Sequence, residues 1–176
     1  CLLSGQRTQS IQNLQTNYAS FEKDKCEFYI PFVLKTSKPG KHQAPLIFRS
    51  FPDVKICVIN CIQEYKKRTS LLRDTATESN KQFIISYAPP HNAVSSATIA
   101  RYIKIFLYLA GIDVTIFTAH STRSASTSKA NNIGLSIKDI QRAAGWTNTS
   151  TFRKYYNLPL WENFGATVLK GHLQKK

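Results

Sequence analysis

A chain of 176 residues is long enough to bury one hydrophobic core and too short for two ordinary domains. Its 42% apolar content excludes a disordered segment, and four cysteines are too few for a disulfide-stapled scaffold. Twenty-four Lys and Arg against ten Asp and Glu leave a formal charge of +14 and a pI near 9.8, which points to a polyanionic partner, nucleic acid first.

Residues 2–15 place Leu3, Ile11 and Leu14 at helical spacing and predict a first helix. Two runs rich in aromatic and β-branched residues follow, Glu27–Leu34 and Ala44–Phe48. They flank KTSKPGKHQ, whose Pro39-Gly40 pair signals a turn, so the stretch predicts a β-hairpin with a basic tip. Asp53–Arg68 carries apolar residues at 54, 57, 58, 61, 62 and 65, a helix pattern with Asp53 as its cap. Residues 69–82 read as loop, and Phe83–Ser86 as a short strand stopped by Pro89-Pro90. A helix is expected from Ser95 or Ser96 to Ala110, ended by Gly111, followed by a short linker over Asp113–Phe117. Further helices are expected over 120–132, 136–144 and 149–156, broken at Gly134 and Gly145. The expected architecture is mainly α with a small antiparallel β-sheet (α+β).

The remaining features narrow the class. Cys57 and Cys61 lie four apart in a helical stretch and read as small buried apolar side chains. No His/Cys cluster has the spacing of a metal site, so no metal and no cofactor is expected. No signal peptide and no bilayer-spanning apolar run is visible, which makes Asn148-Thr149-Ser150 a chance sequon and suggests a reducing compartment that contains DNA. The chain opens on Cys1 and runs straight into the first predicted helix, so it reads as part of a longer protein.

The stretch Ala119–Tyr156 is the most informative. His120 and Arg123 form an HxxR pair whose side chains share one helical face. Trp146 follows His120 by 26 residues, and Tyr155 follows Trp146 by nine. In this order and spacing the sequence resembles the tyrosine recombinase (phage integrase) family, GWTNTSTFRKYY looking most like its Trp-bearing branch. The resemblance extends upstream. Gly5-Gln6-Arg7 fits the family's G-x-R signature around its first arginine, and Lys35 fits its hairpin lysine, with Lys38 and Lys41 as rivals in the same tip. The segments LLSGQR, KTSKPGKH and AHSTRSAS look most like recombinases of eukaryotic mobile elements, the Crypton and DIRS-like groups.

The resemblance implies a catalytic domain that breaks and rejoins DNA through a 3′-phosphotyrosyl link, with Arg7, Lys35, His120, Arg123, Trp146 and Tyr155 as its catalytic residues. The residue types suit that chemistry. A phosphodiester resists attack, so catalysis must be largely electrostatic. Arg7 and Arg123 would hold the non-bridging oxygens, and His120 and the Trp146 indole N–H would contact or relay protons at the phosphate. Lys35 would protonate the departing 5′ oxygen, while Tyr155 becomes the covalent link. Taken singly, each has a plainer reading: Tyr155 as core, Tyr156 as its competitor, Trp146 as a packing anchor, His120 as a cap for its own helix.

One departure concerns the position three after the first arginine, where the family usually carries an acid and this chain has Ser10. Lys38, Lys41, Arg101, Lys104, Lys129, Lys138 and Arg142 are expected to touch backbone phosphates, which position without reading sequence. Residues 1–157 are expected to be the breaking-rejoining domain, truncated at its N-terminus. Residues 158–176 are expected to be a tail that packs on its own domain or on a neighbouring protomer. Expected partners are double-stranded DNA and further copies of the chain in a synaptic tetramer, with no membrane. The expected location is the nucleus of a eukaryote or the nucleoid of a prokaryote. Rival readings are a type IB topoisomerase and a non-catalytic DNA-binding remnant of a mobile element.

Overall fold

The computed structural model describes residues 1–31, 44–73, 81–146, 150 and 152. Eight regular elements appear among them: α1 (Thr8–Gln12), β1 (Ala19–Phe21), β2 (Lys25–Phe28), β3 (Leu46–Arg49), α2 (Val58–Thr69), α3 (Ser96–Leu109), α4 (Ala119–Asn132) and α5 (Ile137–Ala144). The expected helix-rich fold with one small sheet is therefore present.

The three strands pair antiparallel in the order β1-β2-β3, with Ser20 opposite Glu27 and Cys26 opposite Phe48. Along β2 the side chains alternate: Cys26 and Phe28 are buried, Lys25 and Glu27 half-buried, the period-two pattern of a sheet with one face on a core. Phe28 sits at the centre, its ring 4.9 Å from Phe83 and 5.8 Å from Phe21, both edge-on. Ile11 and Leu14 join it, with Ile59 and Ile62 from α2 and Ile99 from α3. On the outer side Lys25 is held between Glu22 and Glu27 at 3.3 and 3.1 Å. Of the predicted hairpin, the described strands bear out the pairing of Phe28 with Leu46, while β1 was not foreseen; the basic tip lies outside the described residues.

Several expected elements differ in extent. The first helix is only five residues long, because Cys1–Ser4 forms a turn closed by Gly5 N–H to the Cys1 carbonyl and Gly5 adopts φ +60°. Asp53 does cap, its carboxylate accepting from Lys55 N–H at 2.9 Å, but it caps a 3-10 turn over Val54–Ile56. The helix α2 starts only after Cys57, which is extended. As a result Val54 and Ile56 are exposed, and Cys61 faces solvent while Cys57 is buried, correcting the reading of both cysteines as core. Phe83–Ser86 is not a strand. Its backbone makes the isolated bridge Ile85 to Ala93, and Arg73 donates to the Gln82 and Phe83 carbonyls at 2.7 and 2.6 Å.

The later helices start and stop as their cap residues dictate. Ser95 accepts from Thr98 N–H to open α3, and Ser136 accepts from Asp139 N–H to open α5. Thr118 and Ser121 form a reciprocal capping box on α4, so His120 is not the cap of its own helix. Gly145, at φ +64°, ends α5 in the left-handed conformation. Past it Trp146 packs against Phe152, Ile140 and Ala144 in a second, smaller core. Among the described residues no helix is long and apolar enough to cross a membrane.

Candidate active site

The sequence of α4 is almost devoid of large apolar residues, and the face it buries is polar: Arg123, Thr127 and Ser128. Burying a guanidinium is costly unless it is bonded. Arg123 is 1% exposed; its Nη2 donates to the Ala144 carbonyl at 2.8 Å, and its Cζ lies 4.7 Å from the centroid of the Trp146 ring. The last carbonyls of a helix lack partners within it, and they carry the negative end of its dipole. The C-terminus of α5 thus supplies what a buried cation needs.

The segment before α1 is fixed to the same place. Gln6, 2% exposed, donates through Nε2 to the Ala143 carbonyl at 2.5 Å. A Cβ on Gly5 would meet Thr127 Cγ2 at 3.1 Å and Ala144 Cβ at 3.4 Å, so the backbone there runs hard against α4 and α5. This delivers Arg7, the residue preceding α1, to the mouth of Arg123.

Arg7, His120 and Arg123 line one cavity of about 500 Å³. Arg101 and Lys104 of α3 line it too, along with Gln6, Thr8, Gln9 and Thr118, and no Asp or Glu does among the described residues. Arg7, Arg101, Lys104 and Arg123 thus share the cavity with His120. Burial first, then Arg123 and Arg7, push its imidazole below the ordinary histidine value, which favours the neutral ring. A concave, basic site without carboxylates fits a phosphate-bearing ligand. Among the described residues no group of His, Cys, Asp and Glu could hold a metal ion.

The expected site residues distribute as follows. Arg7, His120 and Arg123 converge, with Trp146 stacked behind Arg123. Arg101 and Lys104 stand at the same cavity. Lys129 and Lys138 are exposed away from it, and Arg142 lines a separate groove beside β3 with Asp139 and Leu3. Lys35, Lys38, Lys41 and Tyr155 lie outside the described residues, as does the tail 158–176. Sequence reading did not single out Gln6 or the Ala143 and Ala144 carbonyls. Gln6 sat at the variable position of a motif, and a backbone carbonyl leaves no residue signature.

A model described as the phage integrase family matches residues 1–159. A comparison with curated proteins returns no match. Among solved structures, a crystal structure of XerA recombinase is similar at 20% identity, with a TM-score of 0.64 over 98% of this chain and 54% of that one. The XerH site-specific recombinase bound to its difH substrate in a pre-cleavage complex is similar at 15% identity and a TM-score of 0.64, over 86% of this chain and 39% of that one. The Tn1549 transposon integrase in complex with transposon right-end DNA is similar at 13% identity and a TM-score of 0.62, over 96% and 56%. These likenesses speak to the fold, and the chain spans about half the length of the first of these structures.

Proposed function

We propose that this chain, which belongs to the phage integrase family, is the catalytic domain of a tyrosine recombinase that cuts and rejoins double-stranded DNA through a covalent link to Tyr155. The observation that carries the reading is the convergence of Arg7, His120 and Arg123 in one basic cavity flanked by Arg101 and Lys104.

In this mechanism the scissile phosphate enters the cavity with its non-bridging oxygens against Arg7 and Arg123. Both guanidinium groups hold two oxygens at once and carry the charge that grows as phosphorus becomes five-coordinate. The Tyr155 phenolic oxygen attacks phosphorus and loses its proton to the imidazole of His120, which lines the cavity with the two arginines. The bond from phosphorus to the 5′ oxygen breaks, and that oxygen takes a proton from Lys35. A 5′ hydroxyl from a partner strand then attacks the phosphotyrosine in the reverse sense, freeing Tyr155. Because the ester bond is conserved at each step, no nucleotide hydrolysis is needed.

The reading extends to strand exchange between copies of the chain assembled on DNA, in the service of integrating or excising a mobile element. Support for the element comes from the LLSGQR and AHSTRSAS segments. The test uses the full-length protein and a nicked duplex that traps cleavage. A detergent-stable protein–DNA adduct is expected and should vanish in Tyr155→Phe. An adduct that survives this change and is lost in Tyr156→Phe overturns the choice of nucleophile. DNA binding with no adduct supports a non-catalytic remnant, and relaxation of supercoils without joining of sites supports a topoisomerase.

A further inference from the structure

We propose that Gln6 is a positioning residue for Arg7, and that the last turn of α5 is the template on which both arginines of the site are held. The proposal rests on the DNA-cleavage reading above.

Two consecutive carbonyls do the holding. Ala143 accepts from Gln6 Nε2 at 2.5 Å and Ala144 accepts from Arg123 Nη2 at 2.8 Å. One turn of backbone thus fixes the second arginine directly and the first through its neighbour in sequence. The need is clear from the local structure: α1 is five residues long, too short to hold Arg7 by its own cooperativity. On the other side of Gln6, Gly5 is wedged against Thr127 and Ala144 at φ +60°, so the chain entering Arg7 is clamped twice.

The amide is what suggests a role beyond packing. At 2% exposure an apolar side chain would fill the same space without the cost of burying a polar group. A neutral donor also fixes the backbone at Arg7 without offsetting its charge, which a carboxylate would do. The second arginine and the first are thereby coupled, and a shift in the α5 terminus moves both.

The experiment measures covalent adduct formation in a single turnover by the full-length protein, on a nicked duplex selected by that protein from random sequence. Gln6→Leu is expected to slow it about tenfold while DNA affinity stays within about twofold of wild type. Gln6→Leu should add nothing in an Arg7→Ala background, because its effect passes through Arg7. Gln6→Glu faces a carbonyl with a carboxylate when ionised and regains an O–H donor when protonated, so its defect relative to wild type should shrink as pH falls. A wild-type rate in Gln6→Leu, full additivity with Arg7→Ala, or a Gln6→Glu defect that ignores pH each overturns the proposal. If Gln6→Leu does not fold, the Gln6→Glu pH series decides. If the wild-type protein forms no adduct, the cleavage reading fails. Amide exchange over Thr8–Gln12 then decides the positioning: about tenfold faster exchange in Gln6→Leu supports it, and unchanged exchange overturns it.

Discussion

Arg123 is sandwiched between a ring and a carbonyl that belong to one short stretch of chain: its Cζ lies 4.7 Å from the Trp146 centroid, and its Nη2 reaches the Ala144 carbonyl two residues earlier. A cation desolvated in this way gains from the ring quadrupole and from the end of the α5 dipole together. Gly145 makes the arrangement possible, since its left-handed backbone turns Trp146 back over the helix it follows.

Trp146→Ala removes that platform and its contact with the Phe152 ring, 5.6 Å away. Loss of a buried aromatic is expected to lower unfolding free energy by about 3–5 kcal/mol, read from denaturant titration. Trp146→Phe keeps a ring under Arg123 and should restore more than half of that loss. If the two variants are equally unstable, the ring is not what supports Arg123.

The His120 imidazole carries a directional prediction for pH. Burial, then Arg123, then Arg7 depress its affinity for protons in the folded chain. The unfolded chain binds that proton at the ordinary value near 6.5, before the folded chain does, so stability falls as pH drops below that value and is unaffected above it. An NMR titration should place the His120 midpoint below 6.5, and Arg7→Gln should move it upward by removing one repelling charge. A midpoint indifferent to Arg7 contradicts the shared cavity.

Gly5→Ala combines two penalties. The backbone sits at φ +60°, and the new methyl would lie 3.1 Å from Thr127 Cγ2. The change is expected to destabilise by about 1–3 kcal/mol. A calorimetric melt measures that loss, and adduct formation should slow with it because Arg7 follows two residues on. Gly134→Ala, at φ +92° with nothing within 4 Å of its new methyl, carries the backbone penalty without the contact and serves as the comparison that leaves adduct formation intact.

Arg101 and Lys104 share the cavity with the proposed phosphate-binding arginines. Replacing both with Gln should weaken DNA binding across all sequences and reduce the slope of log K against log salt by about two. Replacing Lys129 and Lys138, which stand away from the cavity, isolates the effect of place from that of charge. Equal slopes for the two pairs would remove α3 from the DNA-facing surface.

Much of this protein was legible in one dimension. Caps are local, so Ser95 announced where α3 begins, Gly111 and Gly145 announced where α3 and α5 end, and the aromatic and β-branched run from Glu27 announced the strand that carries Phe28. The order and spacing of Arg7, His120, Arg123, Trp146 and Tyr155 carried the resemblance to a family, because such a motif is a pattern of residue types along the chain. Apolar spacing alone misled where a left-handed Gly5 cut the first helix short and where an extended Cys57 delayed α2. What tertiary structure decided is how the arginines are held. The partners of Gln6 and Arg123 are backbone carbonyls of Ala143 and Ala144, 137 and 21 residues away, and every residue type owns such a carbonyl. A sequence specifies side chains, whereas a buried cation is satisfied by whichever unpaired helix end the fold brings to it.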